Sequence, residues 1–193
     1  MAISCDVSVI IVNYNTKELV KNCLTSVFVH TSGINFEVIV SDNGSSDGSV
    51  KMIKESFPQV VLVENGMNIG FGAANNRGLQ VAKGKYIFYL NSDTVLLNNA
   101  IKIFFDYWEN ATNKDCIGAL GGVLLNDKLQ ETHSSGYFPN YRLIFRSLFL
   151  SFLDSIGLKK KIKEFLNIKI FQKKGCVDYI TGADLLSQTS SFK

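Results

Sequence analysis

The sequence predicts an α/β fold: a mostly parallel sheet with helices on both faces. Three observations predict it. Short β-branched runs alternate with amphipathic stretches through the first 125 residues, the rhythm of successive βαβ units. The first run, Val7–Val12, is short and β-branched, as in strands buried on both faces. Polar clusters stand directly after them, at Asn13–Asn15, Ser41–Asp47 and Asn91–Thr94, where the carboxyl ends of parallel strands hold ligands.

Taken in order, Val7–Val12 is a strand ending at Asn13-Tyr14-Asn15. Thr16 is placed to cap a helix over Lys17–His30, with Leu19, Val20, Cys23, Leu24 and Val27 on one stripe. Glu37–Ser41 is a second strand, followed by a turn-rich cluster (Asp42 to Gly48) and a helix near Ser49–Ser56. Val60–Val63 is a third strand, and Asn68–Gly78 leads into a helix ending near Ala82. Tyr86–Leu90 is a fourth strand, Asn99–Glu109 a helix, and Ile117–Leu125 a fifth strand. Beyond Gly136 the texture changes. Tyr141–Phe171 reads as helical, apolar and basic, with Lys159, Lys160, Lys161 and Lys163; residues 137–175 are expected as a helical insertion in a single domain spanning 1–193.

Composition narrows the function. Of 193 residues, 46% are hydrophobic and 19% charged, which excludes a disordered chain. A chain of this length buries about 70% of the surface its unfolded form exposes. The net charge of +3 is too small for a dedicated nucleic-acid binder and suits an anionic small ligand or an anionic membrane surface equally well. Cys5, Cys23, Cys116 and Cys176 form no CxxC pair, and His30 and His133 stand alone; free thiols in a reducing compartment are expected. The opening residues carry no secretory signal, and no run of 18 apolar residues is present, so a cytoplasmic protein is expected.

Four places can carry chemistry. Asp42, at a strand end, suits a base or ribose edge; a purely local role, with Asp47 or Ser46 capping the next helix, is the alternative. In Asn91-Ser92-Asp93, Asp93 can ligate a divalent cation that also holds a diphosphate, or else cap a turn. Asn68–Gly78 contains Gly70 and Gly72, but position 75 is Asn, so the GxGxxG dinucleotide fingerprint fails. Arg77 in that segment can meet a phosphate or lie in solvent. In Gly182-Ala183-Asp184 small residues permit close backbone approach beside a carboxylate.

The order of these pieces resembles glycosyltransferase family 2. The matching segments are Val7–Asn15, Ser41–Ser49, Asn68–Gly78, Tyr89–Thr94 and Ile180–Leu186, and the Asn-Tyr-Asn form looks most like the rhamnosyltransferase branch. The resemblance implies the GT-A fold, a Rossmann-like sheet of the nucleotide-diphospho-sugar transferase type. It implies that Val12, Asn13, Tyr14 and Asp42 hold the nucleoside, that Asn75 and Arg77 approach the donor, and that Asn91, Ser92 and Asp93 stand where the family has DxD. Asp93 is then the main ligand for Mn2+ or Mg2+. Gly182, Ala183 and Asp184 match the acceptor side. The family's acidic base motif falls beyond Lys193, so the chain reads as a domain incomplete at its C-terminus. The implied reaction is inverting transfer from a dTDP- or UDP-sugar to a glycan or lipid-linked acceptor; a non-catalytic nucleotide-sugar binding module is the alternative. Residues 141–171 are read first as a helix packed on the sheet, and second as a peripheral contact with the inner face of the membrane.

Overall fold

The computed structural model describes residues 5–112, 114, 117–132, 135–136, 179–180 and 184–189. The expected helical insertion, the membrane-facing reading of 141–171, Gly182, Ala183, His133, Cys116 and Cys176 lie outside the described residues. The chain divides into two compact units, residues 1–134 with 180–193, and residues 135–179. The described residues of the second lie in two short paired strands, β5 (Ser135–Gly136) and β6 (Tyr179–Ile180).

The first unit carries the sheet. In chain order its elements are β1 (Val7–Asn13), α1 (Lys17–His30), β2 (Phe36–Asp42), α2 (Ser49–Ser56), β3 (Val61–Glu64), α3 (Phe71–Val81), β4 (Tyr86–Asn91), α4 (Ala100–Asn110) and β7 (Asp184–Gln188). The sheet order is β3-β2-β1-β4-β7. The first four strands are parallel, and β7 runs antiparallel beside β4.

Pleating sends alternate residues to opposite faces, and each face has its own core. On one face Val9, Ile11, Phe88 and Leu90 meet α1 through Val20, Cys23, Leu24 and Val27, and α4 through Ile101 and Trp108. On the other, Ile10, Ile39 and Ile87 meet Leu79 of α3. Gly78 makes that second contact close: a Cβ there would lie 2.7 Å from Ile10 Cγ2.

Three expectations change. The stretch 117–125 forms no strand. It touches the sheet through one bridge, Leu120 with Leu186, and a second bridge joins Leu125 to Glu131. Glycines at 118, 121 and 122 weaken extended pairing there, and β7 takes the fifth place. Leu19 is exposed, because the buried stripe of α1 is set by Val20, Cys23, Leu24 and Val27 at helical spacing. Thr16 occupies the N-cap position of α1 but makes no side-chain cap bond, since its hydroxyl lies 2.7 Å from Asn13 Oδ1. Among the described residues, no helix is long and apolar enough to cross a membrane.

Candidate functional site

The register assembles the site. Val12 stands beside both Ser41 and Asn91, Asn13 beside Asp42, and Leu90 beside Asp184. The polar residues read from the sequence therefore fall on one edge, the carboxyl ends of the parallel strands. Strand β1 lies between β2 and β4, and the order reverses there: β1 is followed by β2 on one side, whereas β4 is followed in this sheet by β7 on the other. Such a switch point opens a crevice between the loops, the usual ligand site in open α/β sheets.

Asn13 and Asp42 are buried, with 0% and 1% of their surface exposed. Asp42 Oδ2 accepts from Asn13 Nδ2 at 2.7 Å and from Ser45 Oγ at 2.7 Å. Its Oδ1 accepts from the backbone N–H groups of Gly44 and Ser45, at 3.0 and 2.8 Å. A carboxylate offers about four lone-pair sites, and here four protein donors converge on it. Asp42 thus helps to build the loop that follows β2. Asn13 is equally engaged, with its own carbonyl accepting from the Asn43 N–H at 2.8 Å.

Further bonds join the loop after β1 to the loop after β2. The Asn15 N–H donates to Ser45 Oγ at 2.9 Å, and the Ser46 N–H donates to Asn15 Oδ1 at 2.8 Å. The Lys17 N–H donates to Asp47 Oδ2 at 2.9 Å. An asparagine network then reaches the loop after β3: Asn65 Nδ2 donates to Ser41 Oγ and to Asn43 Oδ1, each at 3.0 Å. Gly44, at φ 77°, permits this approach, because a Cβ there would lie 2.9 Å from Met67 Cα. With these side chains committed to one another, Tyr14 is the side chain that projects, 46% exposed.

Across the crevice, Ser92 Oγ lies 3.3 Å from the Thr16 hydroxyl. The turn at 91–94 is closed by the Thr94 N–H on the Asn91 carbonyl at 3.1 Å. Asn91 Oδ1 is buried and has no hydrogen-bond partner, while Asp93 is exposed. Beneath the turn, Cys23 Sγ approaches the Asn91 carbonyl at 3.6 Å. Burial, reinforced by the charge of Asp93, pushes its thiol up to about 12, so it is inert at neutral pH. The oxygens of Asn91 and Asp93 suit a hard divalent cation. Mg2+ is commonly held by one or two carboxylates together with substrate phosphates. Among the described residues no group of three His, Cys, Asp or Glu could hold a metal ion.

Asn75 is half-buried and Arg77 exposed, both on α3. Asp184 is 8% exposed. Its Oδ2 accepts the Gly122 N–H at 3.1 Å, and its Oδ1 is buried without a partner. Burial pushes its carboxyl up to about 6, partly opposed by the Gly122 hydrogen bond. A Cβ at Gly122 would lie 2.5 Å from that carboxylate.

Sequence reasoning overlooked Ser45, Asn65 and the cross-loop reach of Asp47. The only signal was the density of Asn, Ser and Asp after β2 and β3, which marks turns but not their partners.

Comparisons place these observations. The model of "Glycosyl transferase family 2" matches residues 8–171. A poly(ribitol-phosphate) beta-glucosyltransferase of Bacillus spizizenii is 29% identical over 122 residues, 61% of this chain and 19% of the relative. The UDP-Glc:alpha-D-GlcNAc-diphosphoundecaprenol beta-1,3-glucosyltransferase of Escherichia coli is 32% identical over 124 residues, 58% of this chain and 48% of its own. A mannosyltransferase from Pyrobaculum calidifontis, solved in complex with GDP-Man and Mn2+, shares the fold at TM-score 0.53 and 22% identity, covering 66% of this chain and 39% of that one. The chain spans less than half the length of both curated relatives. With the family match running from the second residue of β1 through most of the chain, and the α/β sheet shared with a solved glycosyltransferase, the chain belongs to glycosyl transferase family 2.

Proposed function

We propose that the chain binds the donor in the transfer of a sugar from a nucleotide diphosphate to a glycan or lipid-linked acceptor. The observation that carries this reading is the convergence of Asn13, Asp42 and the 91–93 turn on the carboxyl edge at the switch point. Val12, Asn13 and Asp42 form the floor for the nucleoside, and Tyr14 offers its exposed ring beside it. Asn91, Ser92 and Asp93 face the diphosphate. A bound Mn2+ or Mg2+ would neutralise charge on the leaving diphosphate. Asn75 and Arg77 approach the donor from α3. Gly182, Ala183 and Asp184 are assigned to the acceptor side from their sequence match.

The relatives' names support the substrate classes. One names UDP-Glc with a diphosphoundecaprenol-linked acceptor, and the fold neighbour was solved with Mn2+. A lipid-linked acceptor would put the reaction at the inner face of the membrane, where 141–171 could take part. Rhamnose from a dTDP donor rests on Asn13-Tyr14-Asn15 and Asn68–Gly78 alone, whereas the relatives name glucose and mannose. Inversion requires a base that takes the acceptor hydroxyl proton as that oxygen attacks the anomeric carbon.

A second reading, a nucleotide-sugar binding module without turnover, is favoured by one observation. Along the described edge Asp42 is fully bonded, Asp47 caps helices and Asp184 is buried, and Asp93 is the proposed metal ligand. Calorimetric titration with UDP, dTDP and GDP, each with and without Mn2+, tests the donor site. Binding of one nucleotide that strengthens with the metal is the expected result; no binding of any of them rejects both readings. Sugar transfer assayed with the nucleotide that binds separates the enzyme from the module.

A further inference from the structure

We propose that Asp47 is a positioning residue of the donor site: its carboxylate ties the loop after β1 to the loop after β2 and so holds Tyr14 and Asn15 against the nucleotide. This rests on the donor-site reading above.

One carboxylate serves two helices. Asp47 Oδ2 accepts the Lys17 N–H, the first of α1, at 2.9 Å. Its Oδ1 accepts the Ser49 N–H, the first of α2, at 3.0 Å, and the Ser49 hydroxyl as well. A residue two positions before a helix is expected to cap that helix alone; the bond to Lys17, thirty residues away in sequence, is what makes Asp47 a tie. Thr16 cannot replace it, because its hydroxyl is turned to Asn13.

The tie matters because the turn it holds is not self-supporting. Asn15 sits at φ 52°, a conformation that few non-glycine residues adopt and that persists where surroundings over-determine it. Its surroundings here are the opposite loop: Ser45 Oγ accepts its N–H, and its Oδ1 accepts the Ser46 N–H. Asp47 is the last rung of that ladder and the one that carries a charge. Desolvation works against ionisation, but the bonds from Ser49 and Lys17 outweigh it and hold the Asp47 carboxyl below its ordinary range. It is therefore an ionised, acceptor-only group through the neutral range. Tyr14, with its exposed ring, lies between the strand end and this ladder, so its position follows that of its neighbours.

The test uses the 193-residue chain with UDP, dTDP and GDP in the presence of Mn2+. Asp47→Ala is expected to weaken the nucleotide that binds wild type at least tenfold. Asp47→Asn, which keeps one carbonyl acceptor, should fall between. Ser49→Ala removes a contact on the α2 side only and should bind as wild type. Hydrogen exchange of the free proteins gives a second readout: amides at 14–18 should exchange faster in Asp47→Ala, with β1 and β2 unchanged. Wild-type affinity in Asp47→Ala overturns the proposal. So does an equal loss in Ser49→Ala with faster exchange throughout, which is what plain capping of α2 would give. If wild type binds none of the nucleotides, the donor-site reading falls first and the role of Asp47 falls with it.

Discussion

Asn13 Nδ2 donates to Asp42 Oδ2 over 2.7 Å, joining facing residues at the ends of two adjacent strands. Both are buried. Asn13→Ala is expected to destabilise the fold by about 1–3 kcal/mol, the cost of leaving a buried polar group short of a partner. Urea denaturation checks this through the transition midpoint. An unchanged midpoint would mean that Ser45 and the loop amides suffice to hold Asp42.

Asp184 is predicted to cost stability at neutral pH. Its carboxyl is raised from 3.8 to about 6, so the folded chain disfavours ionisation. Stability therefore falls as pH rises from about 4 to about 6, and the loss is complete above that window. Asp184→Asn, which keeps an acceptor for the Gly122 N–H, should be more stable than wild type at pH 8 by up to about 3 kcal/mol. The difference should shrink toward pH 4. Melting temperatures across this range decide it; a gap that does not change with pH would rule out titration of Asp184 as the cause.

Glu109 behaves in the opposite sense. It accepts hydrogen bonds from Lys85, from the Tyr86 hydroxyl at 2.7 Å and from Lys114 at 3.2 Å. Led by the Lys85 bond, these lower its carboxyl from 4.5 to about 2. Its contribution is present above about pH 4.5 and is lost as pH falls toward 2. Glu109→Gln should lower stability at pH 7 and flatten the acid limb of the stability curve. A variant with the same acid limb as wild type would assign that limb to other groups.

The metal prediction follows from the sparse ligand set at 91–93. Mn2+ alone should bind weakly, and nucleotide diphosphate should tighten it, because phosphate oxygens complete the shell. Asp93→Asn should abolish the metal dependence of nucleotide binding while leaving metal-free binding intact. Tight binding of Mn2+ without nucleotide would point to ligands beyond Asn91 and Asp93.

Much of this was legible in the sequence because the determining contacts are local. The runs that became β1, β2 and β4 are rich in β-branched and aromatic residues, and α1 spans the expected Lys17–His30. What failed was non-local. The first amide of α1, the Lys17 N–H, goes to Asp47, thirty residues away, which no short-range rule detects. Residues 117–125 looked like a strand by composition, but the pairing edge of β4 is filled by β7. The rule of carboxyl strand ends put Asn13, Asp42 and Asn91 on one edge of the sheet, which is where the register has them. Whether a polar side chain projects or turns inward depends on its partners, and Asp42 turned inward.

The antiparallel position of β7 has a consequence for how the chain emerges from the ribosome. Strand β4 finds its parallel neighbour β1 already made, but its other edge is filled only when Asp184–Gln188 appears. At synthesis rates of about 5–20 residues per second, that edge stays bare for roughly 5–20 s. A bare strand edge is a template for the wrong partner. The nascent protein should thus be most prone to mispairing, and most dependent on chaperones, while the residues between β4 and β7 are being added.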